Sequence, residues 1–184
     1  LTTASYDNVS FDVSGQDTIS TSVKFSPDGT KMLVVGYSNA YISQYSLSTG
    51  YDLTTASYDN VSFDVSGQDG SPQGVTSNPD GTKMFVVGSG DSVHQYTLTT
   101  GYDLTTANYD SVSFDISGQD TNPYSISFNP NGTKMFMVGS TNDSVYQYTS
   151  QSVVADFYPT SQNPALTNAA GQIGSEFWTD INNM

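Results

Sequence analysis

Few side chains of this sequence could do acid, base or nucleophilic chemistry. His94 is the single histidine and no cysteine is present, so one imidazole is the only side chain that ordinarily titrates near neutral pH. Enzymes generally place a nucleophile beside a base, or pair two carboxylates whose pKa values differ. The many serines include no G-x-S-x-G turn, which presents the serine of many hydrolases. An exposed strand position explains His94 better than catalysis, and we expect no enzymatic activity.

Aspartate is the residue that could bind a metal ion. Carboxylate and carbonyl oxygens suit Ca²⁺, so calcium binding stays open, although no EF-hand spacing is present and no cofactor is expected. Three aspartates alternate with apolar residues, a pattern typical of a solvated strand face: Asp12, Asp64 and Asp115. Three others end an SGQD sequence, which favours an Asx-type turn: Asp17, Asp69 and Asp120.

The composition restricts the partners of the chain. Eighteen Asp and Glu residues stand against four Lys and Arg, for a net charge of −14. Such a surface repels phosphate backbones and anionic lipid, because binding to them depends on Lys and Arg. We therefore expect neither nucleic acid nor membrane as a partner. An acidic surface is also well hydrated in salty water, which favours a marine or extracellular setting.

The elements that would position any site belong to a tandem repeat. The sequence LTTASYDNVSFDVSGQD occurs at 1–17 and again without change at 53–69, and 104–120 differs from it at three positions. The copies are spaced by 52 and then 51 residues. Self-similarity at a fixed period of this length indicates one supersecondary unit used three times.

Each copy predicts four β-strands. Val9, Phe11 and Val13 alternate with polar residues at the two-residue period of a half-buried strand. The KM-x-x-VG segments are continuously apolar, as in strands covered on both faces, and each follows a PDGT or PNGT hairpin turn. In the second copy we predict strands at 73–78, 83–89, 92–99 and 107–116.

Four short antiparallel strands in each repeat are typical of a β-propeller blade. The fold class predicted is therefore all-β, with three four-stranded blades. A β-sandwich or a β-solenoid built from hairpins is the alternative. The segments FSPDGTKMLVVG at Phe25–Gly36 and SNPDGTKMFVVG at Ser77–Gly88 resemble the blade motif of YVTN and lactonase-like propellers. The repeat is also similar to repeats of marine bacterial and phage surface proteins, as is the stretch Gly174–Met184.

Three blades do not close a ring, since closed propellers contain roughly 4 to 8. Exposed strand edges would result, and such edges invite pairing with another chain. Either two chains join head-to-tail into a six-bladed ring, or further repeats of a longer chain complete it. We assign the propeller segment to residues 1–150. Residues 151–184 are predicted to be a linker followed by another domain or a docking tail.

Two connections differ among the copies and would share one rim of a propeller. One joins the fourth strand to the next copy and the other joins the second strand to the third. Because constant turns are structural, the variable rim is the candidate ligand face. The side chains predicted to bind a ligand there are Tyr37, Tyr41, Gln73, His94, Tyr124 and Tyr146.

Near-identical copies, the acidic surface and the missing catalytic groups favour a non-catalytic structural or adhesive module. The resemblance to surface proteins places it in a larger extracellular or virion protein. Two alternatives remain open at this point. One is a lectin-like propeller that binds a glycan or a protein, and the other is a hydrolase of the lactonase type, which the propeller resemblance implies.

Overall fold

The structure is a computed structural model that describes residues 3–149. These residues form eleven β-strands in three antiparallel sheets, which we call blades 1, 2 and 3. Blade 1 contains β1 Ser20–Phe25, β2 Lys31–Gly36, β3 Tyr41–Leu47 and β4 Ala56–Asp64. Blade 2 contains β5 Pro72–Ser77, β6 Lys83–Gly88, β7 Ser92–Leu98 and β8 Ala107–Asp115. Blade 3 contains β9 Pro123–Phe128, β10 Lys134–Gly139 and β11 Val145–Thr149.

Each blade is an antiparallel meander whose strands follow chain order. A glycine in the left-handed region, such as Gly29 at φ 71° or Gly81 at φ 73°, closes the hairpin between the first two strands. Two short 3₁₀ turns, Leu53–Thr55 and Leu104–Thr106, precede the fourth strands. The described residues contain no helix long and apolar enough to cross a bilayer.

The blades stack side by side through their inner strands, with β1 against β5 and β5 against β9. An apolar layer between blades 1 and 2 contains Leu33, Ile42, Met84 and Tyr96, all at most 1% exposed. An equivalent layer joins blades 2 and 3. The all-β prediction of propeller blades is confirmed, and no closed ring forms in this range. The predicted linker and tail over 151–184 lie outside the described residues.

Polar clusters fasten the second, third and fourth strands of two blades. In blade 1 the Lys31 ammonium donates to Asp59 at 2.9 Å, and Gln44 and Ser46 donate to the same carboxylate oxygen. Burial pushes the pKa of Asp59 upward, but the hydrogen bonds from Ser46, Gln44 and Lys31 outweigh it and keep the pKa below its ordinary value. Blade 2 repeats the cluster around Asp110.

Candidate ligand-binding site

A pocket of about 440 Å³ opens where the inner strands of the three blades begin. Thr21, Gln73 and Tyr124 contribute to its wall, one from each blade. These three residues occupy the same position of the repeat, since each lies two residues before the strand position held by Val23, Val75 and Ile126. A single structural position therefore presents three different side chains to one cavity.

The rest of the wall comes from the connections that lead into and out of the blades. Ile19 and Asn122 precede the inner strands of blades 1 and 3, and Tyr37 follows β2. The Tyr37 backbone N–H donates to the Ile19 carbonyl at 2.9 Å. The Ser140 N–H donates to the Asn122 carbonyl at 3.1 Å in blade 3. The two connections of a blade thus lie side by side at this rim.

The SGQD aspartates hold these connections in place. The Asp17 carboxylate accepts from the backbone N–H of Ile19 at 2.6 Å and from that of Asn39 at 2.9 Å. Asp69 accepts in the same way from Ser71 and Gly90. The predicted Asx-type turn is confirmed, and a second bond also ties it to the loop between the second and third strands.

A glycine at the end of the second strand makes room for this carboxylate. A Cβ atom built on Gly36 would lie 2.6 Å from an Asp17 carboxylate oxygen, and one on Gly88 would lie 2.7 Å from that of Asp69. Both distances are shorter than van der Waals contact, so any larger residue would displace the aspartate. Only glycine at the end of the KM-x-x-VG segment leaves room for the aspartate that holds the two connections together.

Amide groups form the polar part of the pocket. Gln73 is 9% exposed and donates from its amide to the Asn122 side-chain oxygen at 2.7 Å. The Asn122 amide donates in turn to the Ser140 hydroxyl at 2.7 Å. Tyr124, in contrast, is 47% exposed at the mouth. The site combines a fixed amide pair with an open aromatic ring, and its lining contains no charged side chain.

The six residues predicted as ligand contacts separate into two groups. Tyr37, Gln73 and Tyr124 line this pocket, whereas Tyr41, His94 and Tyr146 do not. Tyr41 begins β3, and Tyr146 packs against the layer between blades 2 and 3. The sequence did not single out Ile19 and Asn122, which lie in a connection that differs among the copies, or Thr21, which lies at the start of β1. The selection of these residues as ligand contacts stays a prediction.

The prediction that His94 occupies an exposed strand position is wrong. His94 is 8% exposed and lies in β7 with its ring edge toward Tyr109, at 6.0 Å between centroids. Burial lowers its pKa, against the opposing effect of the Asp69 charge. Neither ring nitrogen has a hydrogen-bond partner among residues 3–149. Strand β7 is covered on both faces, since Gln95, which follows His94 and points to the opposite face, is also fully buried.

The aspartates predicted for a solvated face do lie there, since Asp12, Asp64 and Asp115 are exposed. Each carboxylate accepts from the backbone N–H of the serine two residues later, at 2.8 Å. Within 3–149, no group of three or more acidic or histidine side chains could hold a metal ion. Calcium binding remains a prediction without a defined site.

No protein family and no curated protein matches the sequence. Solved structures do match the fold. A protein described as a candidate 6-phosphogluconolactonase from Bacteroides uniformis shares 18% identity at a TM-score of 0.50, over 69% of this chain and 37% of that one. A luciferin-regenerating enzyme shares 19% sequence identity at a TM-score of 0.53, and the match covers 74% of this chain and 46% of that one. The β-propeller domain of Swd1 from Myceliophteria thermophila shares 12% sequence identity at a TM-score of 0.51, and the match covers 71% of this chain and 38% of that one.

These likenesses show that the chain has the β-propeller fold. The chain spans less than half the length of each of these structures. They support the resemblance to lactonase-like propellers, and none supports the resemblance to marine bacterial or phage surface proteins. The expectation that the chain has no enzymatic activity is contradicted, since two of these three structures bear the names of enzymes. A propeller brings side chains from several blades together at one rim. The absence of a linear catalytic motif is therefore a poor reason to expect no enzymatic activity.

Proposed function

We propose that the pocket at the start of the three inner strands binds a neutral, polyhydroxylated ring, such as a sugar or a sugar lactone. The observation that supports this most is the composition of the wall. Two tyrosines, Tyr37 and Tyr124, stand with the Gln73 and Asn122 amides around a cavity of about 440 Å³. Aromatic faces pack against the C–H face of a sugar ring, and amides both donate to and accept from its hydroxyl groups.

The electrostatics favour a neutral ligand over a charged one. Recognition of phosphate or carboxylate groups commonly uses Arg or Lys side chains, and no cationic residue lines this pocket. The net charge of −14 further repels anions. The ligand inferred here therefore differs from a phosphorylated lactone, the compound class in the name of the Bacteroides uniformis protein.

The exposed Tyr124 ring gives the sharpest test. Neutral monosaccharides, oligosaccharides and D-glucono-1,5-lactone would be titrated into the 184-residue chain by calorimetry. We expect Tyr124→Ala to weaken the best neutral ligand about tenfold or more, since a stacked aromatic ring contributes about 1.5 kcal/mol. Tyr51→Ala, which removes a ring that is 60% exposed but outside the pocket, is the control. Equal affinity in the Tyr124→Ala variant, or tighter binding of 6-phosphogluconate, would contradict the proposal.

Hydrolysis of a neutral lactone is a second candidate function. The fold likeness to lactonase-like proteins is compatible with it, and the Tyr37 hydroxyl and Gln73 amide could polarise a bound carbonyl. Turnover of D-glucono-1,5-lactone above the spontaneous rate is expected to disappear in Gln73→Ala. It should persist in His94→Ser, because His94 is buried away from the pocket lining. Turnover that survives Gln73→Ala would refute this candidate. The adhesive role in a larger extracellular or virion protein has no support in the fold or the site.

A further inference from the structure

Blade 3 exposes a face that is buried in blades 1 and 2. Ile42 in blade 1 and Val93 in blade 2 occupy one position of the repeat, and both are 0% exposed. The equivalent Val145 in blade 3 is 71% exposed. Val138 is 38% exposed, although Val87 at the same position of blade 2 is fully buried. The free face of blade 3 therefore carries the side chains of an inter-blade layer without the opposite half.

Blade 1 exposes the complementary face. Val23 is 55% exposed, whereas its equivalents Val75 and Ile126 are 8% and 4% exposed against their neighbouring blades. A groove of about 330 Å³ runs along this face between Val23, Val34 and Phe11. The chain thus carries both halves of an interface that it forms twice internally, one half at each end of the stack.

Residues 4–12 have the shape of an outer strand without a partner. Their sequence is identical to β4, and Asn8 has φ 57°, close to the 58° of Asn60 at the β-bulge of β4. Phe11 packs edge-on against Tyr45 at 5.6 Å, as Phe63 packs against Tyr96 at 5.5 Å. No strand is assigned to residues 4–12, because no strand lies beside them in the described range.

The polar clusters are likewise complete inside the stack and incomplete at its two ends. Lys31 pairs with Asp59 in blade 1 and Lys83 pairs with Asp110 in blade 2. In blade 3, Lys134 donates to Thr149 and forms no ion pair within residues 3–149. The aspartate of this position in the unpaired segment is Asp7. One end of the stack holds the lysine and the other end holds the carboxylate.

We propose that a second copy of this chain completes the structure, with residues 4–12 of each copy pairing with β11 of the other. The register of β3 with β4 places Phe11 opposite Val145, Val9 opposite Gln147 and Tyr6 opposite Tyr148. The Val23 face of one copy then packs on the Val145 face of the other, and two copies supply six blades. Closure within one chain is prevented because three stacked sheets, each about 10 Å from the next, separate the two halves.

Measurement of the mass in solution tests this assembly in the 184-residue chain. Light scattering and sedimentation are expected to give a dimer. Val23→Asp and Val145→Asp each place an unpaired carboxylate in the interface, which should weaken association at least about 100-fold at each of two contacts. Both side chains are exposed in the single chain, so the variants should fold. Thr99→Asp, an exposed position outside both faces, is the control for added charge.

Mixing the two variants separates this assembly from any other dimer. A pair made of one Val23→Asp copy and one Val145→Asp copy retains one unchanged contact, so the mixture should associate while each variant alone is monomeric. A monomeric parent chain, a larger oligomer or a dimer that neither variant weakens would overturn the proposal. Dissociated variants that show no association on mixing would overturn it as well.

Charge reversal tests the strand register. Asp7→Lys brings two lysines together and should weaken the dimer about tenfold or more at each contact. Asp7→Lys combined with Lys134→Glu restores an opposite pair and should recover most of that loss. Circular dichroism would verify that each variant is folded. No loss in Asp7→Lys, or no recovery in the double variant, would refute the pairing of residues 4–12 with β11.

Discussion

Two aspartates five residues apart should differ greatly in what they contribute to stability. Asp64 and Asp69 both cap an Asx-type turn, at 2.8 Å to the Ser66 N–H and at 2.9 Å to the Ser71 N–H. Asp69 is 2% exposed and also accepts from the Gly90 N–H at 3.0 Å, whereas Asp64 is exposed. The perturbation is Asp69→Ala, with Asp64→Ala as the matched control.

The magnitude follows from the bonds that are lost. A hydrogen bond to a charged group contributes about 1.5–3 kcal/mol when it is buried, and Asp69→Ala removes two. With some recovery through solvent at the rim, we expect Asp69→Ala to lower the free energy of unfolding by about 3 kcal/mol. Asp64→Ala removes one exposed bond and should lower the free energy of unfolding far less.

Thermal unfolding followed by far-ultraviolet circular dichroism measures the difference. For a chain of this size each kcal/mol moves Tm by about 2–4 °C, so the expected loss is roughly 6–12 °C for Asp69→Ala and much smaller for Asp64→Ala. Urea unfolding would give the free energies independently. Equal losses in the two variants would refute the role given to the second bond and to burial.

Two further substitutions test other contacts. Because burial lowers the pKa of His94 from its ordinary 6.5, the unfolded chain takes up a proton more readily, and stability should fall as pH drops below 6.5. Copy 1 has a serine, Ser43, at the position of His94. His94→Ser should reduce the loss of stability between pH 7.5 and 5.5, measured by urea unfolding. A pH dependence equal to that of the parent chain would show that the buried His94 does not cause the loss. Gly74→Ala places a Cβ 2.7 Å from the Tyr124 carbonyl oxygen and should cost about 1–3 kcal/mol in thermal unfolding by forcing β9 away from β5. Gly70→Ala, which meets nothing within 4 Å, should be nearly neutral, and a similar loss in both variants would contradict this account of the contact.

The strands of blade 2 could be predicted to within one residue at each end. Strand β6 was expected at 83–89 and spans Lys83–Gly88, and β8 was expected at 107–116 and spans Ala107–Asp115. Local signals suffice here, because the two-residue period and the Asp-Gly turn fix both the strands and their register.

Other features depend on neighbours that no local pattern specifies. Residues 4–12 and 56–64 have one sequence, yet only the second forms a strand, since strand pairing requires an adjacent edge. His94 lies between Val93 and the polar Gln95 in β7, so the local sequence does not show that its face is buried. The structure buries it because blade 1 covers that face of blade 2.

The pocket could be located only in part. Comparison of the copies identified the variable rim and therefore Tyr37, Gln73 and Tyr124, which meet there. It did not distinguish them from Tyr41 and Tyr146, because the direction of a side chain at a strand end depends on the stacking of blades. Ile19 and Asn122 were missed for the same reason, although they occupy one repeat position in two copies.

The radial stacking of blades makes residues 4–12 the outer strand of a split blade, and amide hydrogen exchange measured by NMR tests this most directly. The segment 56–64 has the same sequence and forms β4, so it serves as an internal reference with nearly the same intrinsic exchange rates. The account predicts that the amides of 4–12 become as protected as those of 56–64 at concentrations where the chain is dimeric. Fast exchange of 4–12 in the dimer would contradict it.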